Sequence, residues 1–353
     1  MRKRLQPDRA NGNGKRPTIR DVARDAGVSV ATVSRVLNDH PHVAPKTRET
    51  VLKSVREQRF STNRTARGLS GGRTGLVGVT LPFVHAAYFA LMLSGLADAL
   101  YEQDLRAVVC PTLHEHDREV DLLGRLMHGT TDGAILMLPT ETSQELRALR
   151  AVGYPFVVVD PRGPLEEGIA SVSAQNAAGA RAATRHLLDL GHRRIGVITG
   201  PPGWIATEER LIGYHAALAG AGVLPDPALE LTSDFLLEGG RDAARRLLSL
   251  PEPPTAIFGF NDALAIGAVQ AARELGLRVP DDLSVVGFDD SDEAALVTPA
   301  LTTVRQPLGE MGRMAVSLLM RLLDGQRVEA GKVELATKLI VRRSTAPPPR
   351  PGA

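Results

Sequence analysis

Few residues of this 353-residue chain have a spacing that suits catalysis or metal binding. Cys110 is the only cysteine, which excludes an internal disulfide and any multi-cysteine metal site. His114 and His116 form an isolated pair with no third metal ligand nearby in sequence. Gly200 to Gly203 follows an apolar run but lacks the pattern of a phosphate-binding loop, and no nucleophile elbow or dinucleotide fingerprint occurs. We therefore expect no enzyme activity, no metal site and no cofactor.

Charge is distributed unevenly along the chain. Residues 1 to 73 carry 17 basic and 6 acidic side chains, a net charge of +11, whereas residues 74 to 353 have a net charge of −9. A polyanion is attracted to the first segment and repelled by the second. This asymmetry is typical of a nucleic-acid-binding module joined to a regulatory or catalytic domain.

Composition also indicates where the protein acts. No apolar stretch approaches the roughly 20 residues that a membrane span needs. Residues 1 to 17 are basic and polar without an apolar segment, so we expect a disordered tail and not a secretory signal. We likewise expect residues 347 to 353 to be disordered. A cytoplasmic location with no membrane partner follows as an expectation.

A short helical segment follows the basic tail. Thr18 and Asp21 have the spacing of a capping box, and Gly27 ends the first helix. Ser29 begins a second helix, and Pro45 suits the first turn of a third. Two helices around a glycine turn can present the second helix to a DNA groove, although the same pattern also fits a three-helix accessory domain. The positive charge favours DNA binding.

The rest of the chain alternates short apolar runs with amphipathic segments. The runs, which predict strands buried on both faces, are Leu76–Leu81, Ala107–Cys110, Ala134–Leu138, Phe156–Val159, Ile195–Thr199, Ala256–Phe260 and Leu283–Phe288. The helical segments include 92–101, 178–190, 208–221, 239–250 and 263–275. This order predicts an α/β domain with parallel sheets, and more than ten strands favour two lobes over one sheet. We expect a helix-turn-helix domain at 18–60, a hinge at 61–75 and a two-lobed domain at 76–346.

Residues 18 to 69 resemble the DNA-binding head and hinge of the LacI/GalR family of bacterial transcription regulators. The resemblance is densest from Asp21 to Asn38, DVARDAGVSVATVSRVLN. It implies that Val30, Ala31 and Arg35 face the major groove, where an arginine can bind guanine with two hydrogen bonds.

The same resemblance implies phosphate contacts that fix the register of the head on DNA. The residues concerned are Thr18, Ser29, Thr32, Ser34, Asn38 and Thr47. Thr18 and Ser29 are also explained as helix caps, and Val33 as a core residue.

The resemblance assigns Asn63, Ala66 and Leu69 to a hinge helix that pairs with a second copy in the minor groove. Leu69 would then unstack the central base step and bend the duplex. Alternatively, Leu69 packs on the larger domain. Pairing of two hinges implies a homodimer on a pseudo-palindromic DNA operator, and the absence of a leucine heptad near the C-terminus gives no sign of a tetramer.

The larger domain resembles the periplasmic-binding-protein fold, which holds a ligand between two lobes. By position Arg210, Asn261 and Asp289 would bind ligand hydroxyls, and this donor and acceptor set suits a sugar-like effector. Arg210 could instead form an interlobe salt bridge, and Asp262 is better explained as a helix cap. The aromatic residues that would stack on the ligand are Tyr88, Phe89 and Phe235, with core packing as the alternative for all three.

Two departures from the family pattern limit the choice of effector. Ala86 and Ala87 stand where the family often has Asn-Pro, and Gln175 replaces the usual aspartate before Asn176. Loss of that carboxylate permits a different hydroxyl pattern, or a phosphorylated or acidic effector.

The resulting hypothesis is a dimeric repressor of carbohydrate uptake or catabolism genes that a sugar-like effector releases from DNA. A co-repressor-dependent regulator would share every residue and differ only in the sign of the coupling. A sugar-binding transport protein without a DNA role would share the larger domain but would not need the basic head.

Overall fold

The computed structural model describes residues 17–37, 40–58, 60, 73–84, 86–326, 328 and 331–349. The chain forms two compact units, Met1–Gly72 and Arg73–Ala353. No helix in the described ranges is long and apolar enough to cross a membrane.

The first unit contains three helices, α1 (Ile19–Asp25), α2 (Val30–Leu37) and α3 (Pro45–Glu57). The predicted capping box is confirmed, because Thr18 N donates to Asp21 Oδ2 at 2.8 Å. Gly27 adopts φ +64° in the turn between α1 and α2, a conformation that glycine allows without strain. Ser29 Oγ then accepts from Thr32 N at 3.1 Å and caps α2. The helices enclose a small core of Val22, Ala23, Val33, Val36 and Val51.

The second unit consists of two α/β lobes, as the alternating pattern predicts. The strands of the first lobe are β1 (Leu76–Leu81), β2 (Arg106–Pro111), β3 (Gly133–Met137), β4 (Phe156–Val159), β5 (Ser171–Ala174) and β11 (Lys332–Leu335). Those of the second lobe are β6 (Ile195–Thr199), β7 (Glu230–Thr232), β8 (Ala256–Gly259), β9 (Ser284–Asp289), β10 (Thr302–Arg305) and β12 (Lys338–Ile340). The sheet orders are β11-β5-β4-β3-β1-β2 and β12-β10-β9-β8-β6-β7. Every described pairing is parallel except β10 with β12.

Helices follow most strands and cover the sheets. In the first lobe they are α4 (Ala87–Glu102), α5 (His116–Met127), α6 (Ser143–Ala151) and α12 (Leu308–Leu323). In the second lobe they are α7 (Asn176–Asp189), α8 (Ile205–Gly220), α9 (Leu237–Leu248), α10 (Asp262–Glu274) and α11 (Asp292–Leu296). The predicted helices therefore lie within a few residues of their observed bounds, since each apolar stripe spans most of its helix.

One prediction about the strands is wrong. The run Ala107–Cys110 was expected to be buried on both faces, but it belongs to β2 at the edge of its sheet. Arg106 is exposed and Val109 has 41% of its surface accessible, because an edge strand has a neighbour on one side only. Cys110 is half-buried, and burial raises the pKa of its thiol.

The chain crosses between the lobes at three places, which follow β5, β10 and β11. Gln175 N, at the first crossing, donates to Leu335 O at 2.8 Å, and Thr337 Oγ1 donates back to Gln175 O at 3.3 Å. Helix α12 returns to the first lobe after the second crossing and packs closely on α4, where Gly95 leaves no room for a Cβ against the backbone of Gly309. Three short connections side by side allow the lobes to hinge relative to each other.

Candidate functional site

Backbone strain is concentrated at the carboxyl ends of the strands. The described chain contains eight non-glycine residues with positive φ, and seven of them lie at or shortly after the end of a strand. They are Leu113, His114, Leu138, Asp160, Phe235, Asp289 and Asp290. Such conformations cost energy and persist where a site requires them. The carboxyl ends of parallel strands are also where open α/β sheets bind ligands.

Arg210 is a buried arginine of the second lobe whose charge acts on carboxyl groups of both lobes. It projects from the second turn of α8, within the segment 208–221 that the sequence predicts as a helix, and only 4% of its surface is exposed. Its Nε donates to Asn176 Oδ1 at 2.9 Å, and Nη1 donates to the carbonyl of Phe260. Its guanidinium carbon lies 3.9 Å from the centre of the Phe288 ring. The guanidinium plane is therefore held rigidly, while Nη2 has no hydrogen-bond partner in the described chain.

Two carboxyl groups from opposite lobes face this guanidinium. Burial raises the pKa of Asp160, at the end of β4, to about 7, while Arg210 opposes the shift. Burial likewise raises the pKa of Asp289, at the end of β9, to about 6 against the effect of Arg210. Asp289 Oδ1 also accepts from Gln306 Nε2 at 2.7 Å. The two carboxyls thus change protonation state close to neutral pH, and in the ionised form they can accept from ligand hydroxyls.

Asn261 and Asp262 have surroundings that differ from those the sequence predicts. Asn261, the expected ligand contact, is the N-cap of α10, with Oδ1 accepting from Leu264 N at 2.8 Å and Nδ2 donating to Phe235 O at 2.9 Å. Asp262, the expected cap, is buried and accepts from Ser291 N at 2.7 Å and from the Thr303 hydroxyl at 2.5 Å. The expectation of a cap at Asp262 is wrong, because its carboxylate instead joins the start of α10 to Ser291, which follows β9, and to Thr303 within β10.

The three predicted aromatic residues have different surroundings. Phe89 is 6% exposed and packs in the core of the first lobe. Tyr88 is partly buried, and its hydroxyl donates to Asp160, which places it beside the carboxyl pair. Phe235 lies over Gly200, where a Cβ would collide with its ring, and its ring centre is 5.7 Å from that of Trp204.

A mixed aromatic and cationic cluster joins the two lobes beside Phe235. Arg162 of the first lobe places its guanidinium carbon 4.5 Å from the centre of the Trp204 ring of the second lobe. Arg162 Nη2 also contacts His114 Nδ1, and burial followed by the Arg162 charge lowers the pKa of His114 to about 4. The His114 ring in turn lies 4.9 Å from Phe83, edge to face. The neutral imidazole can therefore accept from the arginine.

Several site residues escaped the sequence analysis. Asp160 directly follows a buried strand, the same signal that supports Asp289. Gln306 and Asn176 lie at lobe crossings, which the sequence pattern does not reveal. Gln306 Oε1 and Ser173 Oγ are buried without a hydrogen-bond partner in the described chain.

In the first unit, α2 separates core residues from exposed ones. Val33 and Val36 are buried, whereas Val30, Ala31 and Arg35 are exposed on the opposite face. An exposed arginine beside small apolar side chains is a suitable surface for the major groove.

The hydroxyl groups near α1 and α2 already have partners within the protein. The Thr18 hydroxyl donates to Asp21 Oδ2 at 2.7 Å, and the hydroxyls of Ser29 and Thr32 lie 2.8 Å apart. These hydroxyls therefore cap the helices within the protein itself. Ser34 and Thr47 are partly buried. Asn38, Asn63, Ala66 and Leu69 lie outside the described residues.

Two family models match the chain in the regions just described. Residues 18–63 match the model for bacterial regulatory proteins of the lacI family, and residues 184–345 match the periplasmic-binding-protein-like domain. The HTH-type transcriptional regulator DegA of Bacillus subtilis (strain 168) is 34% identical over 333 residues, which cover 94% of this chain and 98% of that protein. The chain belongs to the lacI family of bacterial regulatory proteins.

Solved structures of lacI-family regulators share the whole architecture. The transcriptional regulator CelR, solved in complex with cellobiose, is 35% identical to this chain and has a TM-score of 0.72. The match covers 93% of this chain and 100% of that one. The lac repressor dimer bound to operator and the anti-inducer ONPF is 30% identical with a TM-score of 0.84, covering 94% of this chain and 100% of that one. This lacI-family protein is thus a DNA-binding transcription repressor with a helix-turn-helix domain and a two-lobed periplasmic-binding-protein-like domain, and not an enzyme.

Proposed function

We propose that this protein is a dimeric repressor of carbohydrate uptake or catabolism genes that a small sugar-like effector releases from its operator. Residues 18–60 bind DNA, residues 61–75 form the hinge and residues 76–346 form the effector-binding and dimerisation domain. The protein acts in the cytoplasm, on the nucleoid.

The placement of Arg210 between Asp160 and Asp289 carries the proposal for the effector. A fork of donors between two carboxyl acceptors suits adjacent hydroxyl groups on one ring. Tyr88 and Phe235 lie at the same cleft and supply flat apolar surfaces for a sugar ring. CelR, a related regulator, is solved with cellobiose.

Effector binding can reach the DNA only through the arrangement of the lobes. Asp160 belongs to the first lobe and Asp289 to the second, so a ligand that bridges them favours one interlobe geometry. The first lobe begins directly after the hinge at residue 75. By linkage, DNA must weaken effector binding by the same factor by which effector weakens DNA binding.

DNA binding is tested by selecting inverted-repeat sites from a random duplex pool with the full-length protein. Fluorescence anisotropy then compares the selected site with random duplex at two salt concentrations. Both concentrations must be stated, because the affinity of a protein for DNA depends strongly on salt. We expect a clear preference for a pseudo-palindromic site, bound as one dimer. Equal affinity for random duplex would refute the repressor assignment.

The effector is tested by adding cellobiose, ribose and other sugars to the preformed complex. Release of the operator by at least one sugar supports the proposal. Tighter DNA binding would reverse the sign of the coupling and make the sugar a co-repressor. A panel of sugars that leaves both DNA affinity and calorimetric heats unchanged would refute a carbohydrate effector.

A further inference from the structure

Buried polar atoms without partners cluster at a second place, in the first lobe. The described chain contains nine buried side-chain nitrogen or oxygen atoms without a hydrogen-bond partner, and four of them belong to Glu119, Glu141 and Arg162. The Glu119 and Glu141 side chains hydrogen-bond each other when one of them is protonated, which accounts for part of this set. Unpaired buried polar atoms are rare in proteins, so the second Glu141 oxygen and Arg162 Nε are positions for a water molecule or a ligand.

A cavity lies where these side chains meet. It has a volume of about 190 Å³ and is bounded by the loop 139–143, which follows β3, and the loop 161–165, which follows β4. Glu141, Thr142, Ser143 and Arg162 line it together with apolar residues such as Leu146. Polar and apolar groups therefore line the cavity together, a mixture that suits a small molecule with several hydroxyl groups.

The charges around the cavity favour a neutral occupant. Glu119 is 1% exposed, and its Oε2 accepts from Thr140 N at 2.9 Å. Burial and then the nearby Glu119 carboxylate raise the pKa of Glu141 to about 8, so Glu141 is mainly protonated at neutral pH. Glu119 and Arg162 offset each other. An anion would meet carboxyl groups and a cation would meet Arg162, whereas a hydroxyl can accept from Arg162 Nε and donate to Glu141.

Arg162 connects this cavity to the second lobe. Its carbonyl oxygen accepts from Ile205 N at 2.8 Å, at the start of α8. The face of its guanidinium is against Trp204, as described above. A molecule that draws Arg162 Nε into the cavity therefore alters contacts on the helix that carries Arg210.

We propose that this cavity is a second small-molecule site, separate from the cleft at Arg210, which binds a neutral polyhydroxylated molecule through Glu141 and Arg162. Because Arg162 spans the lobe boundary, occupancy of the cavity adjusts the interlobe contacts. The proposal goes beyond the operator and effector functions and does not depend on either of them.

The test uses the fluorescence of Trp204, the only tryptophan in the chain, with the full-length protein. Glycerol and ribose are titrated into the wild type and two variants. Asp289→Ala disables the cleft, and Glu141→Met removes the carboxyl group from the cavity at similar length. A matched control, Glu167→Met, alters an exposed glutamate that does not line the cavity.

We expect the Asp289→Ala and Glu167→Met variants to keep a saturable response to at least one probe, and Glu141→Met to weaken it about ten-fold. If Glu141→Met fails to fold, Ser143→Phe fills the cavity from the start of α6 and should abolish the same response. Binding lost in Asp289→Ala but intact in the cavity variants would place every probe in the cleft and overturn the proposal. No response to either probe in Asp289→Ala would mean that the cavity holds water only, and this too would overturn it. Neither result would change the binding of the wild-type protein to its operator, so the proposed function would stand even if the cavity proposal failed.

Discussion

Arg210 stacks on Phe288 while its Nε donates to Asn176 at 2.9 Å. The ring belongs to β9 of the second lobe, and the amide belongs to α7 directly after the first lobe crossing. A planar guanidinium can make both contacts at once, and a lysine ammonium cannot. Burial lowers the pKa of Arg210, while Asp289 and then Asp160 act in the opposite direction.

The Arg210→Lys variant should therefore separate effector response from DNA binding. The positive charge between the two carboxyls remains, but the fork and the stacked plane are lost. We expect a shift of about ten- to 100-fold in the effector concentration that releases the operator, from the loss of one or two charged hydrogen bonds. Anisotropy titrations measure it, with exposed Arg181→Lys as the control. A variant that responds at the wild-type concentration would show that Arg210 only holds the lobes together.

Effector affinity should depend on pH near neutrality. Hydroxyl groups donate to ionised carboxyls, and the pKa values of Asp160 and Asp289 are about 7 and about 6 without ligand. Lowering the pH through these values protonates the acceptors, so the affinity should fall by up to about ten-fold per pH unit for each proton. Calorimetry between about pH 8 and about pH 5 measures this, and a flat profile would contradict hydroxyl binding by the carboxylates.

The stability of the first lobe should respond to pH through Glu141. Burial and then the Glu119 carboxylate raise its pKa in the folded protein to about 8, from an ordinary value of 4.5. Between these values the folded state holds a proton that the unfolded chain releases, so this contribution to stability falls as the pH rises. Glu141→Gln cannot titrate. Its melting temperature relative to the wild type should therefore rise between about pH 5 and about pH 9, as measured by calorimetry. A constant difference would mean that Glu141 is ionised throughout.

The sequence predicted the elements better than the site. Strand β1 and strand β6 have their predicted bounds because continuous Val and Ile runs are buried by helices on both faces. Asp262 was assigned as a cap because residue type alone cannot tell which of two adjacent polar residues faces the helix end. The sequence around Gln306 contains no pattern that predicts its role. That role arises because the chain crosses between the lobes at Gln306, where its side chain meets Asp289.

Two valines on α2 provide a matched test of the division between core and surface. Val33 is fully buried, while Val30 has 41% of its surface exposed. Val33→Ala should lower the free energy of unfolding of the head by about 2 kcal/mol. Val30→Ala should leave stability nearly unchanged and weaken binding to the selected operator. Thermal melts and anisotropy measure the two effects, and the reverse pattern would place Val30 in the core.

Arg35 should determine base preference on the same helix. It is exposed on the face of α2 opposite Val33 and Val36. Arg35→Ala should cost about 1–3 kcal/mol of binding to the selected operator and relax the preference at one base pair. Arg24→Ala, which removes an exposed arginine of α1 that lies 3.4 Å from Asp21, is the control for charge alone. Binding to random duplex should decrease similarly in both variants because the electrostatic contribution does not depend on sequence. An equal loss on specific and random DNA in Arg35→Ala would assign this arginine to phosphate and leave base reading to other residues, among them Leu69, which lies outside the described residues.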